Sequence, residues 1–588
     1  MKLKTILISA GAAVICAALP CYVAITGLAA SPTEAVIPTG SIIYDVNGGE
    51  YGSLSRFDTS ADGRAAKYIA EEKSSYLTWF YCVFGNGRSA SERLACILKP
   101  EGSPSERISV AKYLEQNYSA EQLSSMLCSA VEFHDGIYGF DNAAAYYFGV
   151  SEADLSDTQL RALADIYNSD RFRRLTPTEL SEEKHFSDVE FEKDHDSVVL
   201  YGDDYVSGVL NELRSKLSEQ GISDEKAESM IFLDGMEIHT YLDPVAQTAL
   251  DDTLSAASDD INFRAASQIM TYDGRIIACF GSIGNDRIDR TVKLLEPGSA
   301  IKPLSVYGPA FEQGIINCSS ILPDYPFYPE EEWPHNYDFT VDGEVTTAKA
   351  LRRSKNTTAV FVADRLTPEL CYSYMTREGF RSITSGDVSL MGMALGYMDS
   401  GVTLREMNAA YAVFGNGGYY YAPTFIDKAV CGGETLFTAS HEGVKVFSPE
   451  TSYIMNRILR SNVEMGDGLG VGAYMKGIEV FGKTGTTDDM GIVDNNWFVG
   501  GTPELITAVW TGPDDSTKAV SSPPCTILWN MIMSSISCEK TGFDPCENVT
   551  EAEYCTKSGK LKSDSCVETE TGWYTTGKLP DICDGCKK

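Results

Sequence analysis

Three short stretches of the chain carry residues suited to nucleophilic chemistry. Ser299 and Lys302 stand three apart in Pro297-Gly298-Ser299-Ala300-Ile301-Lys302-Pro303, a spacing that puts a hydroxyl and an amine on one face of a helix, one turn apart. A serine alkoxide is hard to form, so an adjacent amine able to take the proton is what such a nucleophile requires. Pro303 does not oppose a helix starting near Ser299, because first-turn N–H groups have no intrahelical partner. The second stretch is Ser354-Lys355-Asn356. Its hydroxyl and carboxamide both face a cleft if the segment is an extended loop; the alternative is a polar turn before a helix. The third is Phe481-Gly482-Lys483-Thr484-Gly485-Thr486-Thr487. On a strand, Lys483 gives a fixed positive charge, Thr484 and Thr486 give hydroxyls, and Gly485 lets a substrate backbone approach, which together suit a substrate carboxylate. Taken singly, each motif also has an ordinary structural reading as a solvated lysine or a polar turn.

In this order the three resemble the S-x-x-K, S-x-N and K-T-G set of penicillin-binding proteins and serine β-lactamases. The similarity extends further. LLEPGSAIKPLSVYGPAFEQGI resembles the nucleophile segment of class A, bifunctional penicillin-binding proteins, and SLMGMALGYMDSGVTLREMNAAYAVFGNGGYYYAPTFI resembles the stretch between that family's second and third motifs. GMEIHTYLDPVAQTALDDTL is similar to the strand and helix that open its transpeptidase domain, and YCTKSGKLKSDSCVETETGWYTTGKLPDIC to the cysteine-bearing carboxyl end of several members. The resemblance implies that Ser299 is acylated by a peptidoglycan stem peptide and that Lys302 takes its proton. It implies that Ser354 and Lys483 relay a proton to the leaving D-alanine, and that Asn356 binds the amide of the stem or of a β-lactam. Thr484, Gly485 and Thr486 would line the pocket, with Thr486 at the terminal carboxylate, and the N–H groups of Ser299 and Thr486 would form the oxyanion hole. A D,D-transpeptidase of this kind needs no metal and no cofactor. A D,D-carboxypeptidase, or a non-catalytic penicillin-binding scaffold or sensor, are the alternatives. No E-x-x-L-N lies between the second and third motifs, which disfavours a β-lactamase. No G-x-S-x-G elbow occurs, and the six histidines form no cluster.

Bifunctional members of the family carry a glycosyltransferase domain ahead of the transpeptidase. YLEQNYSAEQLSSMLCSAVEFHDGIYGFDNAAAYYFGVSEADLSDTQLRALADI resembles its later half. The catalytic half departs from the family pattern. Glu71-Glu72 with Tyr76 is at best a remnant of the glutamate-aspartate motif, Gly87 to Arg93 replaces the family's Gln-rich segment and brings in Glu92, and Ser105-Glu106-Arg107 sits out of register for a second acid. Glycosyl transfer needs a carboxylate base and cations for the diphosphate at fixed positions. The domain is therefore expected to be inactive, with glycan strands supplied by a separate glycosyltransferase.

These motifs need elements to hold them. Ser119-Ala-Glu-Gln122 and Ser156-Asp-Thr-Gln159 are capping boxes that predict helix starts, as is Thr403-Leu-Arg-Glu406, whose helix should stop by the glycines at 415, 417 and 418. Ser267 to Cys279 reads as a hairpin turning at Asp273-Gly274, and Trp497-Phe-Val with Leu505 to Trp510 as paired strands. Helices mixed with antiparallel strands give an α+β chain. The expected order is a transmembrane anchor at 1–30, a mainly α, lysozyme-like degenerate glycosyltransferase domain at 31–180, a linker region at 181–262, a transpeptidase domain at 263–540 with an antiparallel sheet flanked by helices, and a Cys-rich tail at 541–588. The anchor rests on Lys2 and Lys4 followed by no charge until Glu34, a run long enough to span a bilayer and leave the bulk of the chain extracytoplasmic. Small residues at 27–31 keep a cleavable signal as the alternative. Seven of the 16 cysteines fall between Cys525 and Cys586, which outside the cell reads as disulfides; Cys555, Cys566, Cys583 and Cys586 are also a possible zinc donor set. The net charge of −35 repels nucleic acid and anionic lipid headgroups and so argues against DNA or RNA as a partner; the resemblance implies stem peptides and β-lactams as partners, with the cell membrane holding the anchor.

Overall fold

The computed structural model describes residues 40–57, 90–99, 103–133, 137–169, 171–192, 202–258, 264–281, 288–489, 492–513 and 524–585, with positions 32, 37 and 38. The expected anchor at 1–30 and the Glu71, Glu72 and Tyr76 remnant lie outside the described residues. Among the described residues no helix is long and apolar enough to cross a membrane.

The amino-terminal part is helical, with α1 at Ala90–Leu98, α2 at Pro104–Asn117, α3 at Ala120–Ala130, α4 at Phe140–Phe148 and α5 at Asp157–Tyr167. The boxes at Ser119 and Ser156 both form, each serine accepting the N–H three residues on while the glutamine reaches back. A third box starts α2 at Ser103. Leu94, Leu114, Met126, Phe140, Tyr147, Leu163 and Ile166 close a core of their own.

The rest is built on two five-stranded sheets. In chain order the strands are β1 (Ser41–Tyr44), β2 (Glu50–Leu54), β3 (Met236–Thr240), β4 (Arg264–Thr271), β5 (Ile276–Phe280), β6 (Ile426–Cys431), β7 (Glu434–Thr438), β8 (Phe481–Asp489), β9 (Ile492–Gly501) and β10 (Leu505–Gly512). One sheet runs β7-β6-β3-β1-β2 and the other β8-β9-β10-β4-β5. The second is antiparallel throughout, with the hairpin at Asp273-Gly274 as expected. Successive strand residues point to opposite faces, and the packing follows that period. Trp497, Val499, Ile506, Ala508, Ala266 and Met270 enter the larger core, whereas Phe498, Val509, Ala265 and Ile269 enter a second one beneath the helix Cys525–Ser534. A sheet covered on both faces needs near-continuous apolar strands, which is what β9 and β10 supply.

Within 181–262, the stretch expected to link the domains, Asp204–Glu219 and Pro244–Ser258 are helices on either side of β3. Tyr205, Val209 and Leu213 are buried in the larger core, and β1 lies parallel beside β3. The chain before the helical part is thus tied into the sheet that precedes the transpeptidase motifs. The tail folds as a hairpin, β11 (Val549–Cys555) with β12 (Thr569–Thr575), and its Tyr554 and Tyr574 join the larger core. Among the described residues no disulfide joins two cysteines. The tail departs here from the disulfide expectation, because Cys555, Cys566 and Cys583 meet at one point where a disulfide would join two.

Candidate active site

Ser299 sits in a short helical turn, Gly298–Ile301, that leads through Lys302 into the turn Pro303–Tyr307 and the helix Gly308–Glu312. Gly298 holds φ at 51°. Side chains at that φ are strained, and an added Cβ would also meet the Thr486 carbonyl oxygen at 2.6 Å. Gly485 answers it from β8, where a Cβ would stand 2.4 Å from the Pro297 carbonyl oxygen and 2.8 Å from the Ala300 Cβ. The space that Gly485 leaves is thus filled by the nucleophile turn. Two glycines allow that turn and β8 to touch backbone to backbone.

Strand alternation then sorts the third motif. Lys483 and Gly485 point into the protein, while Thr484 and Thr486 face a cleft of about 510 Å³. Ser299, Ser354, Asn356, Thr484 and Thr486 line that cleft. Lys302 and Lys483 lie under it, both fully buried, and they meet at the second motif. Lys302 Nζ donates to the Ser354 carbonyl at 2.9 Å and to Asn356 Oδ1 at 2.5 Å. Lys483 Nζ donates to Ser354 Oγ at 2.9 Å and to the Thr484 carbonyl at 3.0 Å. Burial, with the charge of Lys483 next, holds the Lys302 ammonium well below the usual lysine range. Burial alone lowers Lys483 to about 7. Two ammonium ions in one dry pocket disfavour each other and the charged state, so the site stores at least one neutral amine.

The second motif is a tight turn between the helices α6 (Thr347–Arg352) and α7 (Asn356–Leu366), not an extended loop. Ser354 takes φ 54°, an uncommon conformation for serine that the surroundings must enforce. Lys355, buried beside it, pairs with Asp324 at 3.0 Å. Burial would raise the Asp324 carboxyl, but bonds from Thr357, the Asp342 N–H, Asn336 and Lys355 outweigh it and hold it below its ordinary value. Asn336 Oδ1 in turn accepts the Asn356 N–H at 2.8 Å, and Asn356 Nδ2 donates to the His335 carbonyl at 2.9 Å. The middle residue of S-x-N therefore anchors the turn from inside, while its neighbours face outward.

All eight residues expected from the three motifs gather here: five line the cleft, Gly485 packs against the nucleophile turn, and the two lysines lie below. Sequence reasoning missed His335, Tyr337, Leu395, Tyr397, Leu469, Asn496, Trp497, Pro524, Cys525 and Thr526, which complete the walls. Asn496 and Trp497 had a signal, since they pair across from Thr486 and Gly485 on a strand already read as β. Trp497 Nε1 donates to the Glu296 carbonyl at 2.9 Å, bracing the nucleophile turn from the far side. Among the described residues, the one group of three or more metal-ligand side chains lies in the tail, away from this cleft.

Two family models match the chain. The penicillin-binding protein transpeptidase domain covers residues 264–514, the part that holds all three motifs, and the transglycosylase family covers 105–187, the helical part. Among curated proteins the chain is similar to penicillin-binding protein 4 of Bacillus subtilis, 28% identical over 472 residues and covering 72% of this chain and 74% of that protein. It is also similar to penicillin-binding protein 1A of Clostridium tetani, 27% identical over 547 residues, covering 80% and 69%. The crystal structure of penicillin-binding protein 1A from Haemophilus influenzae shares the fold over 93% of this chain and 99% of that one, at 17% identity and a TM-score of 0.57.

Proposed function

The chain belongs to the class A penicillin-binding proteins, and from that premise we propose that it is a serine D,D-transpeptidase that crosslinks peptidoglycan stems through an acyl-enzyme on Ser299. The observation that carries this reading is the pair of buried lysines meeting at Ser354. A neutral amine has two N–H groups and one lone pair. The Ser354 carbonyl and Asn356 Oδ1 take both N–H groups of Lys302, which leaves the lone pair for the Ser299 proton. Ser299 Oγ then attacks the carbonyl of the penultimate D-alanine. The N–H groups of Ser299 and Thr486 would hold the oxyanion, a contribution of about 3–4 kcal/mol per donor to the barrier. The proton reaches the departing D-alanine amine through Ser354 Oγ, which Lys483 contacts at 2.9 Å. Thr486 receives the terminal carboxylate, Thr484 lines the pocket beside it, and Asn356 binds the stem amide. Attack on the ester by the amine of a second stem forms the crosslink and returns Ser299. A β-lactam would enter by the same acylation.

In this reading the bulk of the chain lies outside the membrane, held by the apolar segment at 1–30, and the helical domain has lost glycosyl transfer. A separate glycosyltransferase then provides the strands. The test is a labelled penicillin. The adduct is expected on the peptide containing Ser299 and absent in Ser299→Ala, and with a D-Ala-D-Ala stem plus an amine acceptor the product is the transferred amide. Label on another residue removes the assignment, and release of D-alanine with hydrolysis alone moves it to a D,D-carboxypeptidase.

A further inference from the structure

The carboxyl-terminal hairpin holds a side-chain cluster that the transpeptidase reading does not use. The Sγ atoms of Cys555, Cys566 and Cys583 lie within 4.8 Å of one another. Cys555 and Cys583 are buried and Cys566 is half-buried. They come from three separate segments: the end of β11, the turn after Lys562 and the last described loop. Backbone pairing fixes all three, Cys566 through its N–H to the Ser563 carbonyl at 3.0 Å. Cys555 N–H donates to the Lys560 carbonyl, Gly559 N–H returns to the Cys555 carbonyl, and Cys583 N–H donates to the Leu561 carbonyl at 2.8 Å.

We propose that these three thiolates bind a structural zinc ion that closes the carboxyl-terminal hairpin and its following loops into one rigid unit. Tetrahedral zinc with bonds of about 2.3 Å sets its sulfurs about 3.8 Å apart, a separation that falls inside the 4.8 Å limit of this cluster. A disulfide needs two sulfurs at about 2.05 Å, and no such bond joins two of the described cysteines. Soft thiolates favour zinc over the hard divalent cations. Groups around the sulfurs suit bound thiolates: the Ser563 N–H donates to Cys566 Sγ at 3.3 Å, and Ser558 Oγ donates to Cys583 Sγ at 3.3 Å. Lys560 and Lys562, bonded to Asp584 and Glu553, bring positive charge towards Cys583 and Cys566. Three thiolates on a dication leave one negative charge, which those lysines offset.

The site would act at a distance from the cleft. Ser319 Oγ donates to the Gly559 carbonyl at 2.6 Å, inside the loop that Cys555 closes. Glu570 of β12 pairs with the buried Arg352 at 2.9 Å, the last residue of α6, two positions before Ser354. Zinc therefore buttresses the segment that presents the second motif.

The test uses the full chain purified from its membranes in detergent, without reductant or chelator. About one zinc per chain is expected by elemental analysis, falling to near zero in Cys566→Ser and Cys583→Ser. Cobalt exchanged into the wild type should give the intense near-ultraviolet thiolate-to-cobalt band and the visible bands of a tetrahedral site, a readout that needs no variant to fold. A chain without zinc, with an intact mass two hydrogens short per cysteine pair, would overturn the proposal. Unchanged zinc in both variants would do the same. Penicillin labelling of Ser299 in the same samples reports separately on the transpeptidase site.

Discussion

At the scale of single residues the site is an arrangement of two amines that water does not reach. Lys483 titrates near 7 in the folded chain against 10.5 for an ordinary lysine. Between those values the unfolded chain binds a proton that the folded chain does not, so the stability of the protein rises with pH across that window. The contribution is complete above about 10.5 and is lost as pH falls through about 7. Lys483→Met removes the titration. The melting temperature of the variant is expected to gain most over the wild type near pH 6, and that difference should shrink as pH is raised towards 9.5. A difference that stays constant across the series would show that Lys483 is solvated. The motif letters made Ser299, Lys302, Ser354, Asn356 and Lys483 legible in the sequence as a set. That both lysines sit under the cleft floor was not legible, because burial depends on β8, α6 and the nucleophile turn packing together, and no local pattern encodes that.

At the scale of elements the cleft depends on how closely β8 lies against the nucleophile turn. Gly485→Ala would place a Cβ 2.4 Å from the Pro297 carbonyl oxygen, with backbone on both sides and no flexible side chain to give way. The strand must shift, and it carries Thr484 and Thr486 along one wall and Lys483 beneath the floor. Displacements of about 1 Å near reacting groups cost on the order of 10²-fold in rate, and overpacking costs about 1–3 kcal/mol in stability. The second-order rate of acylation by penicillin is therefore expected to fall by about that factor, with circular dichroism little changed. Acylation at the wild-type rate would mean that the contact does not set the geometry. Element starts were the most readable feature here, since a capping box is a local code and those at Ser119, Ser156 and Thr403 form as written. The turn at Ser354 was not readable. Its φ of 54° is imposed by the buried pair Lys355–Asp324 and by Asn336, residues brought together only by the tertiary fold.

At the scale of the whole molecule the two halves differ in how much of the expected motif pattern their sequences carry. The transpeptidase half keeps every motif residue and assembles them around one cleft. In the helical half the transglycosylase match begins at 105, after the stretch where the family's acidic motif and Gln-rich segment belong. Glu92 and Glu115 line a small cavity of about 200 Å³ with Arg107 and Lys112, and Ser91 Oγ donates to Glu115 at 2.6 Å. In the proposed reading this half does not transfer glycosyl units, a reaction in which the diphosphate departs and needs cations beside it and a carboxylate base at one fixed position. The helices share a core, and β1 before them pairs with β3 after them, so this half has a place in the fold that does not depend on glycosyl transfer. Given lipid II in detergent, the full chain is expected to yield no glycan polymer on a gel. Given lipid II together with a competent monofunctional polymerase, it should yield crosslinked product that disappears in Ser299→Ala. Polymer formed by this chain alone, at a rate comparable to the polymerase, would return glycosyl transfer to it and place the missing carboxylate among residues 58–89.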